Sequence, residues 1–150
     1  MAKIERALAL VTGTPMDKAV VSIACDLVRP YKGQVWALYV IEVGRKLPLD
    51  AELPNETARG EHLLQRMEAF GKTLKCRVEG DILQARDTGA AIVREAADRQ
   101  TDVIVAGMPY TEHYGSPSLG DMVPYVLRHS HCRVVVYREQ QPDPISEGSS

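Results

Sequence analysis

The strongest constraint on the fold is one strand–loop–helix–strand pattern near the end of the chain. Residues 102–106 form a short continuous apolar run, which predicts a buried strand, and Gly107 after it predicts a turn. A polar loop with proline and glycine follows, and apolar residues then recur at helical spacing within residues 120–129. The β-branched and aromatic run 133–137 predicts a second strand. Together they predict a βαβ unit, in which the end of the first strand and the start of the helix form a cradle for anions.

The rest of the chain repeats this alternation of strand and helix. Predicted strands span residues 6–11, 34–43 and 75–85, and predicted helices run from Pro15 to just before Pro30, over residues 56–74 and over residues 90–100. The alternation predicts an α/β fold with an open, doubly wound, five-stranded parallel sheet and helices on both faces. We expect strand order 3-2-1-4-5, which places the topological switch point, where such folds bind ligands, between strands 1 and 4.

Length and charge restrict the class of protein. The chain has 150 residues, so we assign residues 1–139 to one domain and the proline- and serine-containing residues 140–150 to a disordered tail. Its 18 basic and 20 acidic residues give a net charge of -2. They form no block that would indicate nucleic acid or an acidic membrane as a partner. No apolar run predicts a membrane span or a signal peptide, so we expect a cytoplasmic protein. The cysteines Cys25, Cys76 and Cys132 are unclustered, which predicts reduced thiols.

Three stretches resemble the universal stress protein family, and the resemblance covers residues 5–139. ALVTGTP is similar to the family's first strand and its Asp-Gly-Ser-Pro turn. GAAIVREAADRQTDVIVAG is similar to its third helix and fourth strand, and GDMVPYVLRHSHCRVVVY to its last helix and last strand. The resemblance implies an open parallel α/β fold of the adenine nucleotide alpha hydrolase-like kind and dimerisation through the last strand. In one branch of the family it also implies ATP bound by a Gly-x2-Gly-x9-Gly-Ser/Thr motif.

Laid on this sequence, the nucleotide motif keeps its spacing but not its chemistry. Gly107 and Gly120 match motif glycines, whereas Tyr110 replaces the second glycine and Asp121 replaces the hydroxyl residue that would meet a phosphate. Thr12 replaces the acidic residue of the first turn. Tyr110 adds bulk where phosphate approaches the backbone. A carboxylate about 5 Å from a phosphate repels it by roughly 3 kcal/mol at an effective dielectric of about 20. Weak or absent ATP binding is therefore predicted.

Asp121 also fits a structural role. Pro124 has no N–H, which is harmless if Asp121 is the N-cap and Pro124 the third helical residue. A carboxylate at that position would neutralise the helix end that otherwise attracts a phosphate. We therefore predict that Asp121 is both a helix cap and an anion gate.

The candidate ligand cleft lies at the ends of the first, second and fourth strands and at the start of the last helix. Its predicted residues are Thr12, Gly13, Thr14, Val40, Gly107, Met108, Tyr110, Gly120 and Asp121. The leading hypothesis is a non-enzymatic regulatory or ligand-sensing protein with no assigned cofactor, acting through dimerisation or a protein partner of unknown identity. The alternative is a nucleotide-binding member of the family that takes ATP, AMP or a cyclic nucleotide in a remodelled phosphate cradle, with slow ATPase activity. A third hypothesis is an accessory domain of a transporter or kinase.

Other reactive side chains lack the context of a site. His129, His131 and Cys132 do not have the spacing of a structural zinc site, so no metal is predicted. Ser116 lies outside the Gly-x-Ser-x-Gly context of a catalytic serine, so no catalytic residue is assigned.

The last predicted strand lies at an edge of the sheet. Its middle carries neither proline nor charge and consists of Val134, Val135 and Val136. Such an edge is an aggregation hazard when it is left uncovered. We therefore predict a homodimer in which residues 133–138 of two copies pair antiparallel around a two-fold axis.

Overall fold

The computed structural model of the protein describes residues 3–109 and 117–140, with side chains from residue 122 onward in the second range. The strands are β1 Arg6–Leu10, β2 Gln34–Glu42, β3 Arg77–Ala85, β4 Val103–Met108 and β5 Arg133–Arg138. The helices are α1 Asp17–Val28, α2 Pro54–Thr73, α3 Thr88–Asp98 and α4 Pro117–His129, and a short 3-10 helix, Arg29–Tyr31, follows α1.

The five strands form one parallel sheet in the order β3-β2-β1-β4-β5. The predicted fold class and strand order are confirmed. The order reverses between β1 and β4, so the carboxyl ends of these strands flank the switch point.

The sheet separates two apolar cores because successive residues of a strand point to opposite faces. On β1, Ala7 and Ala9 pack towards α1 and α2, whereas Leu8 and Leu10 pack towards α3 and α4. All four of these side chains are buried. A strand buried on both faces gives the continuous apolar run from which β1 was predicted.

Gly107 is a strand residue, so the predicted turn at this position is wrong. β4 continues through Gly107 to Met108. A Cβ at Gly107 would lie 3.3 Å from the Cβ and Sδ of Met16 and from Cγ2 of Val20. The glycine lets the start of α1 approach the sheet closely, and that packing is the role the structure gives it.

The start of α4 also differs from the prediction. The helix begins at Pro117, which makes Asp121 its fifth residue and leaves Pro124 inside the helix. The predicted capping role of Asp121 is therefore wrong. Both prolines suit a first helical turn, because proline fixes φ and lacks only a donor that has no partner there. The chain uses Pro117 in this way and tolerates the loss of one backbone hydrogen bond at Pro124.

Within the described ranges, no helix is both long enough and apolar enough to cross a bilayer.

Candidate functional site

A cleft of about 330 Å³ opens at the carboxyl ends of β1 and β2. This volume is at the lower end of the range for small-molecule sites, roughly 300 to 1,000 Å³. Its walls are formed by buried apolar side chains and its rim by polar ones. The apolar lining is Leu10, Val11, Leu38, Ile41, Ile92 and Met122, and the remaining lining residues are Thr12, Tyr39, Val40, Glu42, Glu56, Arg59 and Thr88.

The turn between β1 and α1 is held by the side chain of Asp17. One carboxylate oxygen accepts the backbone N–H of Thr12 at 2.9 Å, and the other accepts the N–H of Gly13 at 2.9 Å. The Thr12 hydroxyl lies 3.4 Å from the same carboxylate and 3.2 Å from the Thr14 hydroxyl. Gly13 has φ +84°, a conformation that favours glycine. Backbone N–H groups in such a turn are natural donors to an anion, and here the protein supplies the anion itself.

Burial and hydrogen bonding act on Asp17 in opposite directions. The residue is only 4 % exposed. Its desolvation raises the pKa of the carboxyl above the ordinary value, while the hydrogen bonds from Thr12 and Gly13 and the positive charge of Arg66 lower it. Desolvation is the largest of these effects, and the net direction is upward. The buried carboxyl therefore holds the turn at an electrostatic cost.

The end of β2 supplies a backbone edge to the cleft. Leu38 accepts the N–H of Val11 through its carbonyl, so the peptide groups of Leu38 point towards β1. Residues two apart on a strand point the same way, so the N–H and carbonyl of Val40 also point towards β1. Because β1 has already ended at Leu10, the sheet gives these two groups no strand partner on that side. A donor and an acceptor in one plane suit the edge of a flat heterocycle.

The rim carries charges of both signs. Glu42 accepts hydrogen bonds from the backbone N–H and the hydroxyl of Thr88, at 3.2 and 2.9 Å, and so joins the end of β2 to the start of α3. Glu56 and Arg59 extend from the first turns of α2 and are exposed. Among the described residues, the cleft is therefore lined by the two carboxyl groups of Glu42 and Glu56 and the guanidinium of Arg59, and the carboxylate of Asp17 lies on the adjoining turn.

The structure brings together only part of the predicted set of cleft residues. Thr12 and Val40 line the cleft, Gly13 and Thr14 belong to the adjoining turn, and Gly107 packs against α1 instead. Met108 is exposed at the end of β4. Tyr110 and Ser116 lie outside the described residues, and Gly120 and Asp121 are described as α4 backbone only.

The sequence predictions missed the helix residues of the site. Glu56, Arg59 and Thr88 come from the first turns of α2 and α3, which are distant from the predicted motif along the chain. The usable signal was topological, because helices that follow β2 and β3 start at the carboxyl edge of a parallel sheet. Asp17 falls within the helix predicted from Pro15 onward and is not among the predicted cleft residues. Its carboxylate reaches back over the turn, which sequence spacing alone did not reveal.

In the described part of the chain, no three His, Cys, Asp or Glu side chains are close enough to hold a metal ion. This includes the side chains of His129, His131 and Cys132. His129 stacks on Tyr125 instead, with ring centroids 4.2 Å apart.

Residues 3–138 match the model of the universal stress protein family. The chain belongs to this family. No curated protein matches the chain by sequence.

Solved structures of other family members share the fold. A universal stress protein from Archaeoglobus fulgidus is 13 % identical, with 89 % of this chain and 93 % of that chain covered and a TM-score of 0.71. The A. fulgidus protein in complex with dAMP is 14 % identical, with coverage of 91 % and 98 % and a TM-score of 0.70. A family protein from Arabidopsis thaliana with AMP bound is 16 % identical, with coverage of 94 % and 97 % and a TM-score of 0.65.

Proposed function

We propose that this universal stress protein is a non-enzymatic, ligand-sensing regulator whose cleft takes the base and ribose of an adenine compound and holds its phosphates weakly. The observation that carries the proposal is the carboxylate of Asp17 on the N–H groups of Thr12 and Gly13. These donors lie at the mouth of the switch point, where a phosphate would otherwise be bound.

The cleft fits the uncharged part of such a ligand. Its apolar walls can enclose a flat ring, and the peptide groups of Val40 offer a donor and an acceptor to the ring's edge. The relatives from A. fulgidus and A. thaliana have dAMP and AMP bound, which supports an adenine compound as the ligand class.

Phosphates meet a less favourable environment. A phosphate charge about 5 Å from an ionised carboxylate is repelled by roughly 3 kcal/mol at an effective dielectric of about 20. Slow transfer chemistry on ATP depends on phosphates and metal held in fixed positions. A turn that already contains its own anion disfavours that arrangement, so we propose a binding role rather than catalysis.

The second candidate is the nucleotide-binding alternative with slow ATPase activity. Arg59 favours it, because an exposed guanidinium at the rim can pair with a phosphate and offset part of the repulsion. The affinity for ATP relative to adenosine separates the two functions.

Isothermal titration calorimetry with adenosine, AMP and magnesium ATP tests the proposal. We expect adenosine and AMP to bind, and ATP to bind with a Kd above about 10 µM, weaker than roughly -7 kcal/mol. A Kd for ATP below that value would favour the second candidate. Absence of binding by adenosine and AMP would show that the ligand class is wrong.

Asp17→Asn removes the charge on the turn, together with one of the two oxygen acceptors, in the same titrations. We expect ATP to gain at least about tenfold in affinity, about 1.4 kcal/mol, while adenosine changes by less than about twofold. Asp26→Asn is the matched control, because Asp26 lies on the same helix with its side chain 66 % exposed and paired with Arg29. Equal gains in both variants would remove Asp17 from the argument.

We also propose a cytoplasmic homodimer as the working form of the protein. β5 is an edge strand that pairs only with β4 within the described sheet. Its three valines are partly exposed rather than buried.

A further inference from the structure

Two of the three cysteines lie together although they are 51 positions apart in the sequence (76 minus 25). Cys25 is on α1, and Cys76 is in the connection between α2 and β3. Cys25 belongs to the apolar core between the sheet and helices α1 and α2, and Cys76 packs against that core. Cys132 packs in the core on the opposite face of the sheet.

Hydrogen bonds fix the α2–β3 connection against the end of α1. The guanidinium of Arg29 donates to the carbonyl of Leu74 at 3.2 Å. Arg29 is four residues after Cys25, so the two side chains leave the same face of the helical turn. The N–H of Cys76 donates to the carbonyl of Gly71 at 2.9 Å, which holds Cys76 at the end of α2. The thiol of Cys76 lies close enough to that of Cys25 to raise its pKa.

The two thiols differ in access to solvent. Cys25 is 0 % exposed, whereas Cys76 is partly exposed. Burial, followed by the influence of the nearby Cys76 thiol, raises the pKa of the Cys25 thiol far above its usual value. An oxidant in solution therefore reaches Cys76 first, and Cys25 remains a protonated thiol beside it.

We propose that Cys25 and Cys76 form a hydroperoxide-sensitive oxidation site that closes to an intramolecular disulfide, with Cys76 as the attacked residue and Cys25 as the resolving residue.

The chemistry balances with hydrogen peroxide as the oxidant. The sulfur of Cys76 attacks one peroxide oxygen, an S–O bond forms, and the O–O bond breaks. The departing hydroxide takes the proton of the Cys76 thiol and leaves as water. The sulfur of Cys25 then attacks the sulfenic sulfur of Cys76, so that an S–S bond forms and the S–O bond breaks. The second hydroxide leaves with the Cys25 proton, and the sum is two thiols and one peroxide giving one disulfide and two waters.

The proximity of the two thiols favours this outcome over further oxidation. A sulfenic acid that meets a neighbouring thiol condenses to a disulfide, whereas an isolated one is oxidised onward to sulfinic acid. For the bridge to form, the two sulfur atoms have to close to about 2.05 Å. The two cysteines do not line the ligand cleft, so the test of this proposal is independent of the proposed function.

Intact-mass spectrometry after treatment of the reduced, folded protein with a few equivalents of hydrogen peroxide tests the site. We expect the loss of two hydrogens, about 2 Da, a fall from three titratable thiols to one, and reversal by dithiothreitol. Peptide mapping should place the bridge between Cys25 and Cys76.

Three variants assign the roles. Cys132→Ser, the matched control on the other face of the sheet, should still lose two hydrogens. Cys76→Ser should lose none, and it is the main variant because its site is partly exposed and tolerates a hydroxyl. Cys25→Ala should instead leave a sulfenic acid on Cys76 that dimedone labels. A bridge that includes Cys132, a disulfide between two chains, or an unchanged mass in the folded wild type would each overturn the proposal.

Discussion

A carboxyl group buried in a turn gains hydrogen bonds but loses its water. Asp17 has this balance, since it accepts two backbone N–H groups at 2.9 Å while only 4 % of the residue is exposed. The loss of water dominates, and the pKa of the group is raised. Ionisation of this carboxyl group is therefore less favourable in the folded protein than in the unfolded chain.

This balance predicts how stability depends on pH. Because the pKa of Asp17 is higher in the folded protein, its contribution is fully present below the ordinary value of 3.8 and is lost as pH rises through the folded pKa. In Asp17→Asn, which has no titrating group at this position, that loss is absent. The free energy of unfolding of the wild type minus that of the variant should therefore fall as pH increases from about 3.8.

Urea denaturation of both proteins at a series of pH values measures this difference, and other titrating groups cancel in the subtraction. A difference that rises with pH would mean that hydrogen bonds outweigh desolvation at Asp17.

At the scale of residues, the sequence predicted the cleft residues that come from the strand ends. It missed those that come from the turn and the helices. Thr12 and Val40 follow from the ends of apolar runs, because parallel strands end at a common edge. The function of Asp17 depends on the left-handed conformation of Gly13, which brings residue 17 over residues 12 and 13. Such a contact is a property of the folded turn and has no spacing signature of its own.

At the scale of elements, α2 packs against the sheet through glycines, at positions where a side chain would collide with its neighbour. A Cβ on Gly60 would lie 2.7 Å from the Tyr39 ring, and a Cβ on Gly80 of β3 would lie 2.8 Å from Cβ of Leu64. These close contacts set the position of α2, whose first turns supply Glu56 and Arg59 to the cleft. Packing in the first half of the helix thereby sets the position of the rim residues at its start.

Gly80→Ala should destabilise the protein by about 1 to 3 kcal/mol, since the added methyl meets the Cβ of Leu64, which can move only with the helix backbone. The gain from replacing a strand glycine is smaller than this collision. Thermal unfolding followed by circular dichroism measures the effect. Gly44→Ala is the control, because a Cβ there has no neighbour within 4 Å. Equal midpoints for the two variants would show that α2 can move away from β3 at little cost.

The two errors at element boundaries have one physical origin. Gly107 resembles a strand terminator and Pro124 a helix initiator in local sequence, and both residues lie inside their elements. In each case the packed fold outweighs local preference, by close approach of α1 at Gly107 and by an earlier first turn at Pro117 in α4. The cap predicted at Asp121 depended on Pro124 lying in the first helical turn. It is wrong because Pro124 lies inside α4.

At the scale of the whole molecule, the two edges of the sheet differ in how well they are protected against pairing with another strand. At the β3 edge, the carboxylate of Glu68 accepts the outward N–H of Gly80 at 2.9 Å. β3 also carries the charged residues Glu79 and Asp81. Such features block pairing with another strand. β5 has charges only at its ends, Arg133 and Arg138, and its three valines lie between them. If two copies pair through one edge, the contrast favours β5.

Hydrogen bonding within the sheet identifies the backbone groups available at the β5 edge. The N–H of Glu139 donates to Met108 of the β4 end. Because the direction alternates along a strand, the peptide groups of Tyr137 and Val135 also point towards β4. Those of Val134 and Val136 therefore point outward, away from the sheet.

This alternation gives the homodimer its sharpest test. Val136→Pro removes an outward N–H that a second copy would need, so it should convert the dimer into a folded monomer. Val135→Pro removes an N–H that β4 uses, so it should instead destabilise the sheet, by about 3 kcal/mol or more if the loss resembles that of a proline inside a regular element. Size-exclusion chromatography with light scattering gives the mass, and circular dichroism shows whether each variant is folded. A wild-type monomer at tens of micromolar protein, or a Val136→Pro variant that remains dimeric, would exclude pairing through β5 and direct attention to a helical face.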